Sequence, residues 1–468
     1  MSKEENEVEQ PSEILGSTEV EYATETSRRN VFFWAMYDLA NTIYSMVIVS
    51  LIINKYVLVI AQLEHGMSYG SASFLYGTVS TLMQLGVAIC VPILGALSDN
   101  VGKRKPFVIS LTGIILLFAS LLGFFHDLTT VLILFVIANV AYQFSLTFYD
   151  AMLPFIAKRE DIGKVAGFGV AWGYLGTILA LVIMIPFIFV IGDLVSSPPV
   201  APGDPPIAYG FAGGWVPFAL PMYLFLLCAI PFVYVREKQK TSKRPPLGQL
   251  VKSTFKQLGS TFKDIRKHKS MFVFIIGYFF VADIANVIVL YMTPIVTDGL
   301  VFAGGSNLYA ILFIIISTMS AVGFTYFVGK FGEKYGAKNT FFLVGGLWGI
   351  ALIIGIVLVF STQSIDVGAN LPFILTLIMG VVAGPALGGT WTAQRIMVTE
   401  LAPKEKFGEF FGFSKLSGKF SSALGPFVWG TVMLTYDIIG KAAYGWAMIS
   451  VGIIMAIGIV IIAFVKKE

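Results

Sequence analysis

Apolar positions run through this chain in long stretches, and clusters of charge, Pro or Gly cut between them. The stretches fall near 31–58, 72–98, 107–125, 129–156, 165–192, 215–235, 271–296, 307–329, 340–360, 371–398, 409–434 and 442–465. Each is long enough to cross a bilayer core, which takes about 20 helical residues. Lipid offers no partners to backbone amides and carbonyls, so such stretches must close their hydrogen bonds internally, as helices. The pattern predicts twelve transmembrane helices with both chain ends on one side.

Charge settles which side that is. Of the 32 Lys and Arg, 27 lie before the first stretch, in the loops that alternate onto that side, or after the last stretch. Lys55 and Lys441 alone lie opposite, and Arg395, Lys415 and Lys419 fall inside stretches. Basic loops stay in the cytosol, so both termini are expected to be cytoplasmic. Residues 1–30 carry eight Glu and no apolar run, and they read as a disordered acidic tail rather than a cleaved leader. Residues 236–270 form a basic linker. Within it Leu247, Leu250, Val251, Phe255, Leu258, Phe262 and Ile265 recur at helical spacing, which predicts an amphipathic helix on the inner membrane surface. The Pro/Gly-rich segment 196–214 reads as an extended outer spacer. The expected organisation is therefore tail 1–30, helical bundle 31–235, linker 236–270 and helical bundle 271–468.

Composition agrees with this and narrows the function. The chain is 56% hydrophobic and 13% charged, where soluble domains carry about 25% charged residues. Cys90 and Cys228 sit in apolar runs, and His65, His126 and His268 are scattered, so no metal site is expected. Nucleotide-binding loops and hydrolase motifs do not occur. The chain reads as a non-enzyme without cofactor or nucleic-acid partner. It is expected to be a multi-pass monomer surrounded by lipid, with a small molecule as its ligand.

The halves repeat. Asp38-Leu-Ala-Asn41 recurs as Asp283-Ile-Ala-Asn286, and "EDIGKVAGFG" (160–169) as "EKFGEFFGFS" (405–414), both at an offset of 245 residues. "GALSDNVGKRK" (95–105) is echoed by "GKFGEKYGAKN" (329–339), which contains Glu333. Two parallel repeats about an axis along the membrane normal, with a site between them, are a transporter architecture.

Gly95, Leu97, Asp99, Gly102, Lys103 and Arg104 resemble the loop 2–3 motif of the major facilitator superfamily. "YDLANTIY" (37–44), "FYDAMLPFIA" (148–157), "GFGVAWGYLG" (167–176) and "EFFGFSKLSGKFSSALGP" (409–426) resemble the autophagy vacuole-effluxer-like family. Asn100, Asp150 and Lys415 depart from the patterns. The resemblance implies an all-α major-facilitator fold, two six-helix bundles of which the first, fourth, seventh and tenth spans line a cavity. It also implies that Asp99 caps the start of the eleventh span. Fungal members are associated with efflux of amino acids from the vacuole. The membrane would be the vacuolar one in a fungus and the plasma membrane in a prokaryote.

Six ionisable groups lie inside stretches: Asp38, Asp150, Asp283, Arg395, Lys415 and Lys419. A charge near the centre of a spanning helix costs at least about 2.5–3.5 kcal/mol, so each one asks for a function or a partner. Asp283, near mid-span, is the leading candidate for proton or cation coupling, with a fixed ion pair as the alternative. Asp38 is nearer the inner end, and solute contact competes there with gating. Asn41 and Asn286 follow one turn later as neutral donors and acceptors. Lys415 and Lys419 share a helix face and repel, so an anion is expected beside them. Asp150 and Arg395 correspond under the repeat with opposite sign, and a gating salt bridge between them is expected. Tyr37, Tyr174 and Trp391 are candidate cavity aromatics. The combined reading is an alternating-access transporter of a small polar solute, an amino acid foremost. Sugar or organic-anion transport and a non-translocating sensor on the same fold are the alternatives.

Overall fold

The computed structural model describes residues 23–100, 103–158, 161–191, 216–237, 247–300, 307–364, 370–403 and 407–466. Most of the acidic tail and the 196–214 spacer lie outside them. Every element among the described residues is helical. In chain order these are α1 (Arg28–His65), α2 (Tyr69–Asn100), α3 (Lys105–Leu121), α4 (Leu128–Asp150), α5 (Ile162–Ile191) and α6 (Val216–Ala229). There follow α7 (Leu247–Lys267), α8 (Lys269–Gly299), α9 (Asn307–Tyr335), α10 (Ala337–Ser364) and α11 (Asn370–Leu401). The chain closes with α12 (Phe407–Ser421), α13 (Leu424–Met433), α14 (Tyr436–Ile439) and α15 (Ala442–Ala463).

Eleven of these are long and apolar enough to cross a membrane. The remaining expected stretch, 409–434, is divided at Ser422–Ala423 into α12 and α13. Lys415 and Lys419 both fall in α12. Helices α1–α6 pack on one another, as do α8–α15, and the halves meet where α2 lies along α12 and α13 and where α5 lies along α9.

Glycine sets the closest approach within the first half. Gly169, Gly173 and Gly176 of α5 face Trp34, Asp38 and Leu39 of α1, and a Cβ on Gly176 would run into the Leu39 carbonyl oxygen. This is the close helix contact that small residues permit in membranes. It also wedges α1 so that Asp38 is turned against α5.

The repeat extends to the helix ends. Lys105, starting α3, donates through Nζ to the carbonyls of Val233 (2.8 Å) and Val235 (3.0 Å) beyond α6. Lys338, starting α10, donates in the same way to Ala463 and Val465 at the end of α15. Each lysine thus supplies donors to carbonyls that have no partner within their own helix.

The amphipathic helix is present as α7. Thr254, Thr261 and Ile265 are buried, whereas Phe255 and Phe262 remain 47% and 42% exposed. The inward face is set by contact with α2, α8 and α12. Both phenylalanines are left beside Lys252, Lys256 and Lys263, which are also exposed.

Candidate functional site

Between the halves lies a cavity of about 640 Å³. Its walls carry Asp38, Asn41, Gln143 and Asp150 from the first half and Asn286, Arg395 and Lys419 from the second. Tyr174 and Trp391 line it, together with the rings of Tyr142, Phe313 and Trp348. The end bearing the basic loops is open. There Asp150 and Lys415 are 62% and 52% exposed, with Nζ 3.8 Å from Oδ2.

The opposite end is sealed by contacts between the halves. Thr293 Oγ1 donates to the Ser50 carbonyl at 2.5 Å, within a π-type stretch of α1. Tyr76 meets Tyr291 edge-on at 6.0 Å, and Tyr291 stacks on Trp429 at 5.0 Å. Outermost, Asp437 takes the Ser68 hydroxyl at 2.5 Å and the Gly70 amide at 3.3 Å, at the N-terminus of α2. A carboxylate is favoured there by the helix dipole. Tyr69 donates to Asp298 at 3.0 Å and meets the Tyr444 hydroxyl at 2.5 Å. Asp437→Ala removes the acceptor of two of these bonds, about 2 kcal/mol in all, and so favours outer opening roughly 30-fold. Spin labels on His65→Cys and Ile438→Cys should then report longer outer distances. An unchanged distance distribution would mean that Asp437 carries no part of the seal.

Within the cavity, Lys419 Nζ donates to Gln143 Oε1 at 2.5 Å, a bond that crosses between the halves. Among the described residues it has no carboxylate partner. Asp38 Oδ1 accepts from Asn41 Nδ2 at 3.3 Å and likewise has no cationic partner among them. Gln143 was not singled out from the sequence. A neutral amide inside an apolar run has many structural uses, although Gln143 lies seven residues before Asp150, on the same helix face.

Several expectations are corrected. Asp283 does not line the cavity. It is fully buried, Oδ1 accepts from the Gly425 amide at 2.8 Å, and Oδ2 has no hydrogen-bond partner among the described residues. It caps the start of α13, where the chain restarts its helix, and a Cβ at Gly425 would collide with the carboxylate. Tyr37 faces α3 rather than the cavity, with its hydroxyl 2.9 Å from Thr112 Oγ1. Lys415 lies outside the lining, and the anion expected beside it is Asp150, a pairing that leaves Arg395 exposed and without an ion-pair partner among the described residues. Opening of the cavity at this end accounts for the absence of an Asp150–Arg395 pair.

In the loop motif, Arg104 turns inward. It pairs with Glu237 at 3.4 Å with both side chains 2% exposed, and its guanidinium lies 4.2 Å from the Phe155 ring centre. Lys103 and Glu333 are exposed, and Gly95 faces open space. Gly102 and the Asp99 side chain lie outside the described residues, and with them the expected cap on the eleventh span.

A helical bundle in two halves around a charged central cavity, sealed at one end, is a transporter of the major facilitator fold. The chain belongs to the vacuole effluxer Atg22-like family, whose model matches residues 54–468. It is 27% identical over 437 residues to an uncharacterized MFS-type transporter YxiO of Bacillus subtilis, covering 93% of this chain and 94% of that one. It is 26% identical over 314 residues to autophagy-related protein 22 of Yarrowia lipolytica, covering 63% of this chain and 50% of that protein. Among solved structures it resembles nucleoside transporter NupG (TM-score 0.66, 14% identity, 94% of this chain and 100% of that one). A D-xylose-proton symporter is similar as well (TM-score 0.65, 14% identity, 94% and 98%). Those likenesses are of fold. The protein is an integral, multi-pass membrane transporter.

Proposed function

We propose that the protein is a secondary active transporter of a small polar organic solute, an amino acid foremost, working by alternating access with its basic loops in the cytosol. The observation that supports this most is a pair of opposite charges that the two halves bring to one cavity. Asp38 belongs to the first half and Lys419 to the second, and neither is within ion-pair distance of an opposite charge among the described residues. Buried or half-buried charges are retained where something pairs with them. A zwitterion supplies an ammonium for Asp38 and a carboxylate for Lys419 in one molecule. It is then held by both halves and draws them together, which is the step that occlusion requires. Asn41, Gln143 and Asn286 line the same space and supply neutral donors and acceptors. Asp283, away from the solute but with one buried oxygen that has no hydrogen-bond partner among the described residues, remains the candidate for proton or cation coupling.

Counterflow in proteoliposomes, run with a radiolabelled panel of the common amino acids under both pH gradients, tests the reading. Exchange of at least one of them is expected. Exchange of none removes the amino-acid assignment, and saturable binding without flux would mean a sensor.

A further inference from the structure

A second, smaller cavity adjoins the first and differs from it chemically. It lies wholly within the second half, between α8, α9, α10, α11 and α15. Ile288, Met292, Phe313, Trp348 and Ala383 wall both cavities, so the two are neighbours with no more than a side chain between them. The remaining walls include Met379 and Met448 and are apolar, and the void amounts to about 20 Å³. The one polar atom on its rings, Trp348 Nε1, is already bonded to Thr390 Oγ1 at 3.1 Å. An apolar void does not hold water well, and at its present size this one has room for a group of about methyl size.

Position along α8 connects the two cavities. Asn286 lines the polar cavity, and Ile288 and Met292 follow it by two and six residues, about 3 and 9 Å further along the helix. That is the length of a short carbon chain. The unbranched, polarizable side chains of Met292, Met379 and Met448 can rearrange to enlarge the void.

We propose that this void is the specificity pocket of the transporter and receives a short aliphatic chain of the solute whose polar head lies at Asn286 and Lys419. The proposal rests on the solute-transport reading above and adds to it the residues that select chain length. Affinity then rises by about fourfold per methylene until the pocket is filled, and falls beyond that. Met448→Ala moves the optimum to a longer chain, and Ala351→Val, which narrows the same wall, moves it to a shorter one.

The experiment measures binding of straight-chain homologues from two to seven carbons. Three head groups are compared: α-amino acids, carboxylates and alkylamines. A length optimum that shifts in opposite directions in the two variants is the expected result. A flat length dependence in any series that binds, or an optimum that neither variant moves, overturns the proposal. If the amino-acid series fails while another head group shows the shifting optimum, the pocket stands and the amino-acid assignment falls. Xenon-pressurised crystals give a measurement that needs no solute. Xenon among Met292, Trp348 and Met448, displaced by Ala351→Val, is expected, and no xenon there rules out the pocket.

Discussion

Lys419→Gln is expected to weaken solute binding by about 10- to 150-fold while leaving the melting temperature near that of the native protein. A hydrogen bond to a charged group contributes about 1.5–3 kcal/mol, and each 1.4 kcal/mol is a factor of ten. Stability changes little because no carboxylate among the described residues lies within ion-pair distance of Lys419. Its partner Gln143 can bond a glutamine instead. Asp38→Asn makes the complementary measurement. A zwitterionic solute loses affinity in both variants, whereas a purely anionic one loses it only in Lys419→Gln. The half-saturation concentration for exchange, read beside thermal melting, separates binding from folding. Unchanged half-saturation in both variants would remove the charged pair from the mechanism.

The second large effect concerns stability. Glu237 takes the backbone amides of Arg104 at 2.7 Å and Lys105 at 3.0 Å, and its other oxygen meets the Arg104 guanidinium. The pair joins the start of α3 to the end of the first bundle. Glu237→Ala leaves a buried guanidinium without this counter-charge and two amides without an acceptor. Removing one partner of such a buried pair costs roughly 3–5 kcal/mol. Glu237→Gln keeps an acceptor for the amides and is expected to cost less. Thermal melting in detergent should rank the native protein above Gln and Gln above Ala. Coincident melting of all three would show that the contact is neutral.

Much of this architecture was legible from periodicity alone. Long apolar runs can satisfy their backbone only as helices, so the helical spans could be read without tertiary information. The small-residue positions of α5 were legible for a similar reason, since closely packed membrane helices need small side chains. Asp38, Lys419, Asn41 and Asn286 stand out as candidates in the sequence because a polar group inside an apolar run requires a partner.

Direction around the helix axis is set by packing and was not legible from linear position. Asp38 and Asp283 occupy matching positions in the repeat, yet one faces the cavity and the other caps a helix. The difference follows from the break at Ser422–Ala423, which presents a free amide at Gly425 to Asp283. Tyr37 was misplaced for the same reason, because linear position leaves the side a residue faces undecided.

What the sequence by itself determined is the number and kind of apolar segments, their repeat and the charges they submerge. All of these follow from the cost of putting unpaired polar groups into hydrocarbon. Only the tertiary structure decided which charges meet. Asp150 joins Lys415, Arg104 joins Glu237, and Asp437 of one half closes on α2 of the other. Those choices depend on helix rotation and on which end of the cavity is open, and both are set by packing between residues more than a hundred positions apart.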